Sequence, residues 1–155
     1  MRVVADSDLD GLMAAAVLKA SKPEIEVHFA HPALLRSGNL DYLIDRQTAI
    51  CDLPFHKDCG LYLDHHLTNR PTHEQEVEFE STGGICHWRD TPSAARAAFD
   101  LMKHELDLSH LEEVMPIVDA LDSGGISMKE FMDDGPIIRL SRSLSMSDPE
   151  HMQEV

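Results

Sequence analysis

Positive charge is scarce in this chain. Against 28 Asp and Glu stand only 13 Lys and Arg, a formal net charge of −15 over 155 residues. A protein that holds long nucleic acid must neutralise many phosphates, so a chain this acidic lacks the basic track for it. Cysteine is sparse too. Cys51, Cys59 and Cys86 fall at no paired spacing, which argues against a disulfide framework and for a reducing, cytoplasmic setting. Cys51, His56 and Cys59 also lack the Cys-x-x-Cys knuckles of structural zinc. No apolar run approaches the ~20 residues of a membrane span. The opening Met1-Arg2-Val3-Val4-Ala5-Asp6 meets acid too early for a secretory signal. Internal repeats and low-complexity stretches are absent.

What is present reads as one globular domain, 1–155, in which 43% hydrophobic residues suffice for a real core. Arg2–Ala5 reads as a buried strand. Gly11–Ala20, rich in helix formers and apolar nearly all round, reads as a buried helix stopped by Lys22-Pro23. Ile25–Phe29 alternates as a strand does. Asn39–Asp45 reads as a short helix, Thr48–Cys51 as a third strand and Gly60–Leu63 as a fourth. Asn69–Gln75 is a polar loop, and Glu76–Glu80 alternates acid and apolar residues like an edge strand. Thr91-Pro92-Ser93 opens a helix, with Thr as cap and Pro at its first position, running through about His104. Its repeated alanines, Ala94 to Ala98, suit a tightly packed face. Ser109 caps the next helix, with Glu112 completing a capping box, as far as about Leu121. Gly124-Gly125 breaks the chain, and Ser127 starts a short helix that ends in Asp133-Asp134-Gly135-Pro136. Strands alternating with helices early, and helices late, predict an α/β fold whose central, mainly parallel sheet is flanked by helices.

Three of the apolar segments end in acid or imidazole. The first runs into Asp6-Ser7-Asp8-Leu9-Asp10-Gly11, the third into Asp52, and the fourth into Asp64-His65-His66. Parallel strands deliver such residues to one edge of the sheet, the usual place for a site in an open α/β fold. Asp-x-Asp in an extended turn points both side chains the same way. Gly11 permits a tight turn and close approach of a ligand, and the helix N-terminus after it attracts anions. Taken singly, Asp8, Asp10 and Asp52 also read as turn or cap residues. The Asp-His-His triplet is more specific, because one imidazole can bind a metal while the next meets a phosphate oxygen. Hard divalent cations take carboxylate oxygens, and imidazole joins readily for Mn²⁺. The pattern points to a metal-dependent hydrolase.

Asp6-x-Asp8-x-Asp10-Gly11, Asp52, Asp64-His65-His66 and a later Asp, in that order, resemble the DHH phosphoesterase superfamily. That family includes single-strand exonucleases, oligoribonucleases, nucleotide phosphatases, cyclic-dinucleotide phosphodiesterases, exopolyphosphatases and manganese pyrophosphatases. The resemblance covers nearly the whole chain as the family's N-terminal catalytic domain. It implies that the C-terminal substrate-gripping domain of most relatives is absent here. It also implies that Asp8 binds a first metal, Asp10 a second, and that Asp52 bridges them. His65 completes the second metal's shell, His66 contacts substrate phosphate, and Asp64 orients its neighbours. The fourth-motif Asp is best matched by Asp122, in Asp122-Ser123-Gly124, with Asp119 as the alternative. Val4 stands where many members carry a histidine, and Asp6 is the extra acid of the exonuclease-like branch.

The expected chemistry is hydrolysis of a phosphodiester, phosphomonoester or phosphoanhydride by two-metal activation of water, with Mn²⁺ leading and Mg²⁺ or Co²⁺ as alternatives. No Ser or Cys nucleophile is needed. The acidity favours a small phosphorylated substrate: a short oligonucleotide, a nucleotide or a polyphosphate. Arg36, Arg139 and Arg142 are the candidates for meeting transition-state charge. The rival function is a weak or inactive module that keeps the fold and binds a nucleotide or a partner chain. Dimerisation through helix faces is a further expectation. Gly83-Gly84-Ile85-Cys86-His87 reads as a plain loop. His28, His31, His73, His104, His110 and His151 read as surface or satisfied core.

Overall fold

Five short apolar segments pair into one sheet, all parallel, in the order β2-β1-β3-β4-β5. The strands are β1 (Arg2–Asp6), β2 (Glu26–Ala30), β3 (Thr48–Cys51), β4 (Leu61–Asp64) and β5 (Ile85–Trp88). The computed structural model describes residues 1–144; His151 lies outside the described residues. Helices α1 (Leu9–Ser21), α4 (Ala94–Met102), α5 (Met115–Asp122) and α7 (Pro136–Leu144) cover one face of the sheet. The other face packs on Leu35 of α2 (Pro32–Arg36), Phe79 of α3 (His73–Ser81) and the β3–β4 loop. A short helix α6 (Met128–Asp133) precedes α7. The fold is α/β, with a parallel sheet flanked by helices on both faces.

Strand β3 is buried along its whole length, as a central parallel strand must be. Side chains then sort by the two-residue period. Val3 and Ala5 face the α1 side, and Val4 faces the other. Helices α1 and α4 pack side by side on this face of the sheet, where Ala94, Ala95, Ala97 and Ala98 are all fully buried. The alanines set that close approach.

Several sequence-based expectations are corrected. Glu76–Glu80 is helical. Thr72 and Gln75 form a capping box, and a helix started there carries its single anchor, Phe79, into the core. The edge strand is instead Ile85–Trp88, read above as loop. Gly84 lets it pass Phe79, since a Cβ there would lie 2.5 Å from the ring. The cap of α4 is Ser93, not Thr91, and the helix ends at Met102. No helix runs from Ser109 to Leu121. Proline cannot donate inside a helix, so the chain makes a 3-10 turn at Ser109–Leu111 and restarts at Met115, with Pro116 in the first turn. Asn39–Asp45 holds only a 3-10 turn, Asp41–Leu43. Pro136, read as part of a helix end, opens a helix, as Pro32 also does. Among the described residues no helix is long and apolar enough to cross a membrane.

Candidate active site

The chain runs from β1 to β2 on one side and from β3 to β4 on the other. A crevice therefore opens between the carboxyl ends of β1 and β3. Asp8 caps α1 there, its Oδ1 accepting the Gly11 N–H at 2.9 Å. Gly11 packs on the end of β1: an added Cβ would lie 2.3 Å from the Asp6 carbonyl oxygen. Gly11 is thus closely packed on its own backbone. Asp10, 2% exposed, accepts the N–H of Ala94 at Oδ2 and of Ala95 at Oδ1, both at 2.7 Å. Those are free donors of the first turn of α4, and their capture fixes where that helix begins.

Asp52 leaves β3 with φ 58°, a left-handed conformation sparsely populated outside glycine and Asn/Asp. Such strain persists where the surroundings hold it, commonly at functional sites. Asp64 is fully buried and fully occupied. Its Oδ2 accepts the Tyr62 hydroxyl at 2.8 Å, and its Oδ1 accepts the His65 and His66 backbone N–H at 2.8 and 3.2 Å. The same Oδ1 takes His66 Nδ1 at 3.0 Å.

His65 turns toward the α1 side. Its Nδ1 lies 3.1 Å from the Thr91 carbonyl oxygen. A carbonyl only accepts, so Nδ1 carries the proton. The Nε2 atom then faces Asp122 Oδ2 at 3.2 Å, Asp10 Oδ2 at 3.5 Å and Asp52 Oδ1 at 3.7 Å. Potential ligand atoms gather in three overlapping groups: Asp6, Asp8 and Asp52; Asp10, His65 and Asp122; Asp52, Asp64, His65 and His66. A cavity of about 130 Å³ beside them is lined by Asp8, Asp10, Val118, Leu121, Asp122 and Ser141. The larger groove of about 360 Å³ between α1 and β2 contains no member of the three groups.

Burial and mutual repulsion dominate the electrostatics. Burial, reinforced by Asp122, pushes Asp10 up to about 8 against the pull of its two amide donors. Burial also raises Asp52 to about 9, and burial together with Asp8 raises Asp6 to about 6. Asp122 is raised, mainly by burial. Burial works on Asp64 in the same sense, but the hydrogen bonds from His66, Tyr62 and its other donors outweigh it and hold the carboxyl low. Asp52 and Asp64 lift His66 to about 11.

These residues fit a divalent cation. Asp52 Oδ1 and His65 Nε2 are buried and have no hydrogen-bond partner among the described residues. With Nδ1 protonated, the Nε2 lone pair points at three carboxylates, which is repulsive unless a proton or a cation lies between. Carboxylate oxygen with one imidazole nitrogen is a donor set suited to Mn²⁺.

Of the two late aspartates, Asp122 has its carboxylate at the cluster. Asp119 is held by Ser93 Oγ at 2.7 Å and by Arg96 at 2.6 Å, outside all three groups. Arg142 is committed to Asp134 at 2.7 Å and lies over Phe131, while Arg139 is exposed. Arg36 reaches across to Asn69 Oδ1 at 3.4 Å. All three cysteines are buried thiols outside the groups. Four contributors were missed in the sequence: Tyr62, Thr91, Trp88 and Arg70. Trp88 donates its Nε1–H to the His66 carbonyl at 3.0 Å, and the Arg70 guanidinium lies 4.4 Å from the centre of its ring. Tyr62 had a signal, since it stands two residues before Asp64 on the same strand face. The others had none, because their contacts come only with the fold.

Neither protein-family models nor curated proteins match the chain. Among solved structures it is similar to a pGpG-specific phosphodiesterase, PggH from Vibrio cholerae, at 24% identity and a TM-score of 0.64. The match covers 99% of this chain and 55% of that one, so the chain spans about half the length of that enzyme. A likeness at this identity is one of fold, here an α/β fold with a parallel sheet.

Proposed function

We propose that the chain is the catalytic domain of a metal-dependent phosphodiesterase acting on a small nucleotidic substrate, with Mn²⁺ as the leading metal. One observation carries the reading. Side chains from three strand ends and from α5 converge with two buried, unpartnered ligand atoms, Asp52 Oδ1 and His65 Nε2, facing one another's neighbourhood. Asp8, Asp10, Asp52, His65 and Asp122 would hold the metal, with Asp6 supporting them. When bound, two such ions polarise a phosphoryl group and lower the pKa of water. The protein's own part is electrostatic and positional. Asp64 fixes the His66 ring through Nδ1, and the acids beside it keep that ring cationic, so that Nε2–H is free to donate to a phosphate oxygen. Thr91 holds the His65 tautomer that leaves Nε2 available as a ligand.

The substrate side of the reading rests on a cationic rim. Arg36, Arg70 and Arg89 engage Asn69, the Trp88 ring and the Trp88 carbonyl, with no carboxylate in an ion pair among the described residues. In so acidic a chain, guanidinium groups without carboxylate partners favour an anionic substrate, and the Trp88 indole, bonded to the His66 carbonyl, favours a nucleobase. The test is turnover. Purified chain with Mn²⁺, Mg²⁺ or Co²⁺ is offered pGpG, other dinucleotides, a nucleoside bisphosphate, pyrophosphate and polyphosphate. Hydrolysis of dinucleotides that is lost in Asp52→Ala supports the proposal. Tight binding without turnover supports the rival binding module.

A further inference from the structure

Two members of the cluster, His65 and Asp10, and the neighbouring Asp119 are all held by one stretch of six residues. The Thr91 carbonyl holds His65 Nδ1, and the Ala94 and Ala95 amides hold both oxygens of Asp10. Ser93 Oγ donates to Asp119 Oδ1 at 2.7 Å, while Arg96 grips Asp119 Oδ2 through Nε at 3.0 Å and Nη2 at 2.6 Å. Asp119 stands one helical turn before Asp122 on the same helix, so whatever fixes Asp119 sets the rotation and height at which Asp122 meets His65.

The two helices differ in how firmly they are seated. Helix α4 buries Ala94, Ala95, Ala97, Ala98 and Phe99. Helix α5 buries only Met115 and Val118, both before Asp119 in the chain, and Gly124 follows soon after it with φ 72°. Apolar packing is therefore strongest at the start of α5; near Asp122 only the half-buried Leu121 packs on the core, and the remaining contacts there are polar. The two-pronged Arg96 grip on a carboxylate, both groups largely buried, is geometrically the most restrictive of these.

We propose that Arg96 and Asp119 are positioning residues: they latch α5 to the Thr91–Arg96 segment, and that segment is the shared support from which Asp10, His65 and Asp122 are presented together. The consequence for metal affinity rests on the function proposed above; the latch itself does not. Supports of this kind typically change metal affinity by about 10–100-fold when removed.

The experiment compares the parent chain with Asp119→Asn, Arg96→Gln and the milder Arg96→Lys. Two readouts are taken: Mn²⁺ affinity by calorimetry, and amide hydrogen exchange in EDTA at Leu121 and Asp122, with Ile50 of β3 as reference. Expected are weaker Mn²⁺ binding, by about 10-fold or more in Asp119→Asn and Arg96→Gln and less in Arg96→Lys, and faster exchange at Leu121 and Asp122 with Ile50 unchanged. Exchange at the parental rate in all three variants overturns the latch. Binding within about twofold of a parent that does bind Mn²⁺ overturns the positioning role. Should the parent bind no Mn²⁺, the proposed function falls, and the latch stands or falls on the exchange rates alone.

Discussion

Asp52→Asn should make the metal-free protein more stable and abolish the metal-dependent activity proposed above. The Asp52 carboxyl is buried, sits at φ 58° and has one oxygen with no partner. Burial lifts its pKa to about 9, with the Asp10, Asp8 and Asp64 charges adding to the effect and His66 opposing it. The sign follows from proton linkage. The folded state holds this proton more tightly than the unfolded chain does, so its stabilising contribution is present below about pH 4 and is lost as pH climbs toward about 9. Asparagine keeps the shape and tolerates the left-handed backbone, but it has no charge to bury. At pH 8 the gain should be about 1–3 kcal/mol, the usual scale for an unsatisfied buried polar or charged group. At about 2–4 °C per kcal/mol for a chain of this size, Tm rises by several degrees in EDTA. At pH 4 the two proteins should melt together. Mn²⁺ at 100 times its Kd stabilises the parent by about 2.7 kcal/mol, and Asp52→Asn should forfeit most of that. Differential scanning fluorimetry at both pH values, with EDTA and with Mn²⁺, reads all of these. A variant that melts below the parent in EDTA at pH 8, or that gains as much from Mn²⁺, refutes the reasoning.

Metal affinity itself should rise with pH. Asp10 near 8 and Asp52 near 9 must lose protons to bind a cation, so calorimetry from pH 6 to 8 should show at least tenfold tighter Mn²⁺ binding, with protons released into the buffer. Gly11→Ala should cost about 1–3 kcal/mol in urea denaturation, because its Cβ would lie 2.3 Å from the Asp6 carbonyl oxygen, and backbone cannot rotate away. Arg70→Ala should raise KM for a dinucleotide about tenfold, which is about 1.4 kcal/mol of binding, and leave kcat within about twofold; an unchanged KM removes Arg70 from the substrate rim.

The parts of the site that are legible in the sequence are those that follow from strand ends. Asp6, Asp8, Asp10, Asp52 and Asp64-His65-His66 each close an apolar segment, and a parallel sheet collects such ends without further information. The misreadings share a cause. Glu76–Glu80 alternates as a strand does, but the Thr72/Gln75 capping box just upstream outranks alternation when only Phe79 needs burying. The 109–121 segment looks like one helix until Pro116 is given its backbone cost. The contacts of Thr91, Ser93 and Arg96 depend on α4 standing beside α1 and α5. No local pattern could place them.

The degree to which protein donors satisfy each acid sorts the acids by what remains available to a cation. Asp64 has four donors on two oxygens and a lowered pKa. Asp119 is held on both oxygens, by a hydroxyl and by a guanidinium. Neither needs a metal to be stable where it is. Asp10 takes two amide donors and is still raised to about 8, so helix amides alone do not offset its burial and its charged neighbours. Asp52 is raised further, and its Oδ1, 3.4 Å from His66 Nδ1, makes no hydrogen bond among the described residues. An asparagine would have removed that penalty while keeping the left-handed backbone. Without a cation, the arrangement is one in which the fold carries repulsion among Asp8, Asp10, Asp52 and Asp122. With one, that repulsion becomes affinity, and the residues with the least protein compensation become the strongest ligands. Asp52 and His65 are therefore the positions where substitution should separate metal binding from folding most cleanly, and Asp64 the position where the two should fail together.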